Sequence, residues 1–128
     1  MKKVVGIYDH GMQFEMFGEL CKGGIMYGVL YYFGVASGLR IGDILGVRVR
    51  DIQIDMKVLE SKTCKFKEFR LDDQVYELIR NYISVKELDY ADRLFPVTRQ
   101  TVLRHFRRAA EALGLKDIGT HSMRKTYA

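Results

Sequence analysis

The stretch GGIMYGVLYYFGVASG, residues 23–38, limits the folds open to this 128-residue chain more than any other. It holds about a dozen apolar residues broken by glycine, short of the ~18 to 20 that a membrane span requires. It reads instead as a helix from Gly24 to about Val35, buried on most of its sides. Such a helix needs other elements packed around it. A chain of this length buries somewhat over ~60% of its unfolded surface, enough for one domain with a genuine core. The composition fits that reading: 48% hydrophobic and 29% charged residues with a single proline are neither disordered nor low-complexity. The opening MKKVVGIYDHG is basic, but its apolar run stops at Asp9 and His10, too early for a signal-peptide core. A cytoplasmic protein is the expectation. Cys21 and Cys64 stand apart from each other and from any histidine at ligand spacing, so no metal site and no disulfide framework is indicated, and both read as reduced thiols.

Beyond the apolar helix, Ser37-Gly38 leads into a second, short helix over 40–47. Ile41, Ile44 and Leu45 fall at helical spacing there, which puts Arg40 and Asp43 together on another face. Residues 53–60 alternate Ile54, Met56 and Val58 with Asp55, Lys57 and Leu59, the period-two pattern of a half-buried strand. Residues 66–71 resemble its partner, with SKTCK as a basic hairpin tip carrying Lys62 and Lys65. Asp72 caps a helix with Val75, Leu78, Ile79 and Tyr82 on its apolar side. After Pro96, Thr98 caps a helix running to about Leu113, with Gly114 as its stop. Its apolar face is Val102, Phe106, Ala109, Ala110 and Leu113, which leaves Arg104, Arg107, Arg108 and Glu111 to reach solvent or phosphate. Thr120 caps a last helix on which His121 and Arg124 stand one turn apart. The order of helices, hairpin and helices predicts a mainly α fold with a small antiparallel sheet, an α+β arrangement.

The net charge of +5 is unevenly spread. Residues 1–98 carry 14 basic and 14 acidic residues, so the excess lies in 99–128, where Arg99, Arg104, Arg107, Arg108, Lys116, Arg124 and Lys125 face only Glu111 and Asp117. A basic face on one element suits a polyanionic partner, and its bland alternative is a solvated helix surface. Arg40, Lys62, His121 and Arg124 each have an ordinary reading as surface charge or helix cap. Together they supply what phosphoryl transfer needs: cations around the non-bridging oxygens and a proton donor at the leaving oxygen. Arginine suits the first task because its planar fork binds phosphate through two hydrogen bonds and keeps its charge.

Three segments in order make a more specific likeness. ASGLRIGDILGVRVRDI resembles the first arginine motif of the tyrosine recombinase (phage integrase) family, ESKTCKFKEFRL its lysine-bearing hairpin, and GTHSMRKTYA its His-x-x-Arg motif, with LFPV and a basic helix between the last two. The resemblance runs from about Gly24 to Ala128 and implies that family's catalytic-domain fold. It also implies double-stranded DNA as partner, assembly with other recombinase protomers, and strand transfer through a 3′-phosphotyrosine without metal or nucleotide cofactor. On it, Arg40 and Arg124 clamp the scissile phosphate, Lys62 protonates the leaving 5′ oxygen, and His121 hydrogen-bonds the phosphate. Asp43 matches an acidic position that steadies the first arginine, and Lys65, Arg99, Arg104, Arg107, Arg108 and Lys125 are the expected DNA contacts.

Two departures from the family pattern matter. Where the family commonly has glycine after Lys-Thr, this chain has Cys64, which makes Lys65 the second candidate for the role of Lys62. The family's nucleophilic tyrosine lies a few tens of residues beyond His-x-x-Arg, whereas Tyr127 matches an aromatic core position within that helix. The expectation is therefore a fragment: residues 1–23 a lead-in and 24–128 a partial catalytic domain, without nucleophile and without the family's amino-terminal DNA-clamping domain. A natural DNA-binding remnant and a helical protein-interaction module are the competing readings, and type IB topoisomerases share much of the chemistry.

Overall fold

The computed structural model of the chain describes residues 10–115. The elements are α1 (His10–Gly23), α2 (Ile25–Ser37), α3 (Ile41–Gly46), a 3-10 turn (Val49–Asp51), β1 (Asp55–Leu59), β2 (Phe66–Arg70), α4 (Asp73–Val85) and α5 (Arg99–Ala112). The fold is mainly helical with a two-stranded antiparallel sheet, as the sequence predicts. The Thr120-capped helix expected around His121 lies outside the described residues.

The apolar run becomes the central helix. Tyr27, Val29, Leu30, Tyr31 and Phe33 of α2 are all buried, and the helix ends where Gly38 turns left-handed (φ 64°) and donates its N–H to the Gly34 carbonyl. Aromatic side chains from three directions meet on it. Phe33 lies 6.3 Å from Phe69 of the sheet and 6.1 Å from Phe95, and Tyr31 lies 6.0 Å from Phe106 of α5.

Residues 10–23 are part of this packing. Met16 and Leu20 of α1 are completely buried, and α1 contacts both α2 and α5. Gly28 permits the approach: a Cβ there would sit 2.5 Å from the Cys21 sulfur and 2.8 Å from the Phe17 ring. Any larger residue would force the Cys21 and Phe17 side chains to shift. Burial raises the pKa of the Cys21 thiol above its ordinary value.

β1 and β2 pair in the register Met56↔Phe69 and Leu59↔Phe66. Met56 and Phe69 enter the core, while Leu59 and Phe66 stay exposed at the distal end of the hairpin. Asp72 caps α4 by accepting from the Gln74 N–H at 2.8 Å, and the buried Tyr82 hydroxyl donates to the Leu94 carbonyl at 2.8 Å. Thr98 caps α5, whose Val102, Phe106, Ala109 and Ala110 are buried as predicted.

His105, also on α5, stacks on Tyr27 with ring centroids 3.8 Å apart. Its Nδ1 is buried with no hydrogen-bond partner among the described residues. Desolvation, then the positive charges of Arg104 and Arg108, lower its pKa below 6.5. The folded chain therefore resists a proton that the unfolded chain accepts. The contribution of His105 to stability is complete above about pH 6.5 and declines as pH falls from there through its folded-state pKa. The thermal midpoint should drop between pH 7.5 and 5.5, and His105→Phe should flatten that drop. An unchanged pH profile in the variant would assign the dependence to other groups.

Candidate phosphate-binding site

Arg40 occupies the N-cap of α3 in an extended conformation (φ −67°, ψ 149°). From there its Nη1 donates to Glu60 Oε2 at 3.0 Å, in an ion pair whose side chains are only 27% and 15% exposed. Glu60 is the residue immediately before the hairpin tip. One turn along, Asp43 is 8% exposed, and its Oδ1 accepts from the Ser61 backbone N–H (3.1 Å) and hydroxyl (2.8 Å). Two links thus tie the start of α3 to the root of the hairpin.

This arrangement corrects the expected Arg40–Asp43 pairing. Arg40 is the N-cap, its carbonyl accepting from the Asp43 and Ile44 N–H groups, but the carboxylate that holds its side chain is Glu60. Asp43 steadies the hairpin, with its Oδ2 buried and unpartnered among the described residues. Nothing local in the sequence announces Glu60, since its partner lies 20 positions away.

The tip is closed by the Glu60 N–H to the Lys65 carbonyl and the Cys64 N–H to the Glu60 carbonyl, both at 2.9 Å. Lys62 projects from it, exposed and with no side-chain partner among the described residues. Lys65 is exposed as well. Cys64 completes the turn with φ 55°, the left-handed conformation that glycine adopts freely and other residues reach at about 1–2 kcal/mol. Against that stands the greater chain entropy glycine loses on folding. Cys64→Gly should therefore stabilise the chain by about 0.5–1 kcal/mol in chemical denaturation. A loss of stability would show that the Cys64 side chain contributes more than the strain removes.

On α5, Arg99, Arg104 and Arg107 are exposed. Arg104 and Arg107 border a shallow depression with Gln100, Leu103, Arg108 and Glu111. Arg108 departs from its expected freedom: it donates to the Glu19 carbonyl, and its Nη1 lies 3.5 Å from the Glu19 carboxylate, which Lys22 also holds at 2.7 Å. It joins α5 to α1. The remaining residues assigned from the sequence, His121, Arg124 and Lys125, together with Tyr127, lie outside the described residues.

Among the described tyrosines, three serve packing while Tyr90 is exposed. Tyr27, Tyr31 and Tyr82 are buried; burial raises the pKa of Tyr31, with a smaller contribution from Tyr32, and pushes Tyr82 up to about 12. Tyr76 accepts a hydrogen bond from Arg80, whose guanidinium also stacks on its ring and donates to the Ile52 carbonyl.

Comparison with known proteins places these motifs in context. Residues 17–128 match the model of the phage integrase family. The probable integrase/recombinase YoeC of Bacillus subtilis (strain 168) is 37% identical over 105 residues, which cover 77% of this chain and 58% of YoeC. Tyrosine recombinase XerA of Saccharolobus solfataricus is 30% identical over 95 residues, 72% of this chain and 32% of XerA. Lambda integrase bound to DNA shares the fold with a TM-score of 0.78 at 19% identity, over 99% of this chain and 51% of that one. A lambda integrase tetramer bound to a Holliday junction gives 0.74, also at 19% identity, over 99% of this chain and 41% of that one. The matched region spans 58% of the length of YoeC and 32% of that of XerA, less than two thirds of either. With the family model matched over most of its length, the chain belongs to the phage integrase family.

Proposed function

We propose that this chain binds double-stranded DNA and forms the phosphate-binding part of a tyrosine recombinase catalytic domain. The observation that carries the reading is the double link of α3 to the hairpin, Arg40 to Glu60 and Asp43 to Ser61, which brings an arginine and a lysine-bearing tip into one neighbourhood. In the complete protein, Arg40 and Arg124 hold the non-bridging oxygens of the scissile phosphate and neutralise the charge that builds there. Lys62 donates a proton to the departing 5′ oxygen, and His121 hydrogen-bonds the phosphate and assists proton transfer. The phosphate is transferred to a tyrosine hydroxyl, giving a 3′-phosphotyrosine, and rejoining reverses the step. None of the described tyrosines is assigned that role, in keeping with the burial of Tyr27, Tyr31 and Tyr82.

Arg99, Arg104 and Arg107 supply sequence-independent backbone contacts along α5. Other protomers are the second class of partner, as lambda integrase forms a tetramer on a Holliday junction. We place the protein in the cytoplasm in the service of a mobile element, acting without metal or nucleotide. No helix among the described residues is long and apolar enough to cross a membrane.

Neutralising about five phosphates should give log affinity against log salt a slope near −4 to −5, at roughly 0.9 per contact. Between 50 and 200 mM salt that is a loss of several hundredfold, measured by fluorescence anisotropy on a short duplex. A flat salt dependence would remove the DNA reading and leave a protein-interaction module.

A further inference from the structure

We infer that Glu60 is a positioning residue that sets Arg40 for phosphate and keeps it in register with Lys62; the inference rests on the reading of Arg40 as a phosphate ligand. Three observations carry it. The ion pair is single-ended, with Nη1 alone meeting Glu60 Oε2, so among the described residues Nε and Nη2 of the same planar fork remain for a bidentate anion. Glu60 itself is fixed, because both its backbone N–H and its carbonyl take part in closing the hairpin tip. Its side chain is therefore a short arm anchored two residues from Lys62, and the guanidinium at its end is referenced to the tip that carries the lysine. Finally, the pair is largely shielded from solvent, which strengthens a charge-assisted hydrogen bond and restricts the rotation of a long side chain.

A carboxylate beside an anion site has two opposed effects. It repels the incoming phosphate, and it orients the arginine that receives it. The single-ended geometry favours orientation, since phosphate reaches the free edge of Arg40 without displacing Glu60. A carboxylate that merely blocked the site would instead have to leave before DNA entered.

The two effects separate in a double-mutant cycle on DNA affinity with the intact chain, read by anisotropy at fixed salt. Glu60→Gln keeps the shape and removes the charge. With Arg40 present it should weaken binding about threefold, the scale of one partly exposed ion pair. In the Arg40→Ala background, where only repulsion remains, the same change should tighten binding about twofold. This reversal of sign is the expected result, and a residue that only supports the fold does not produce it. Tightening by the same factor in both backgrounds, or weakening by the same factor in both, overturns the positioning role while leaving Arg40 as a ligand. If Arg40→Ala itself leaves affinity unchanged, the underlying phosphate reading fails instead. Thermal midpoints of the four variants identify any that do not fold, and Glu60→Asp, too short to span the 3.0 Å contact, then replaces Glu60→Gln and should also weaken binding.

Discussion

Replacing Arg40 by alanine should slow DNA strand cleavage by the complete protein on the order of 10²- to 10³-fold or more, the scale of losing one preorganised donor to a developing oxyanion. The effect is large because Arg40 is already held at the N-cap of α3 by Glu60 before any phosphate arrives. In the proposed role, its contribution in the transition state would need little reorganisation. The loss should appear in the single-turnover rate of covalent adduct formation more than in affinity, since backbone binding is shared among several cations. A comparison arginine must carry charge without building structure. Arg80 is unsuitable, because its bonds to Tyr76 and the Ile52 carbonyl hold α4 to the loop before β1. Arg70 suits better: it is exposed on β2, and its contact with Asp55 is a loose 3.7 Å. Equal losses for Arg40→Ala and Arg70→Ala would reduce Arg40 to one charge in a general positive field.

Several elements announce themselves in the sequence because one physical signal dominates each. The density of apolar residues marks α2, helical spacing between Asp72 and Tyr82 marks α4, and the alternation around Met56 marks the hairpin. α1 carries no such signal. Its apolar residues Met12, Phe14, Met16, Phe17 and Leu20 are mixed with glycines, and Phe14 remains exposed. What makes it part of the core is tertiary: Met16 and Leu20 are buried where α1 packs on α2 and α5, with Gly28 leaving room for Phe17 and Cys21. Two side-chain roles on α5 were hidden for related reasons. Arg108 reads as free because its partner Glu19 lies on α1, and the stacking of His105 on Tyr27 needs the α2–α5 contact. At the candidate site, the order of α3 and the hairpin was legible, whereas the Glu60 link was not, because it joins the hairpin to a residue 20 positions earlier.

The same dependence on tertiary contact makes Phe106 the side chain whose loss should damage the fold most. Phe106→Ala should destabilise the chain by about 3–5 kcal/mol in urea denaturation, the range for deleting a buried phenyl ring with incomplete collapse of the cavity. Domains of this kind have only about 5–15 kcal/mol of stability in all, so a large share would go. Phe106 is completely buried and meets Tyr31 edge-on, at 6.0 Å and 67°, where α5 seats on the central helix. α5 bears Arg99, Arg104 and Arg107 on its outer side and holds α1 through Arg108 and Glu19. Loosening it should lower DNA affinity along with stability. Phe66→Ala removes the same ring from the hairpin surface, where Phe66 is 59% exposed beneath the Lys57 ammonium, and should cost no more than about 0.5–1 kcal/mol. Similar losses for the two variants would mean that α5 is not seated by this ring, and that the basic face owes its position to α1.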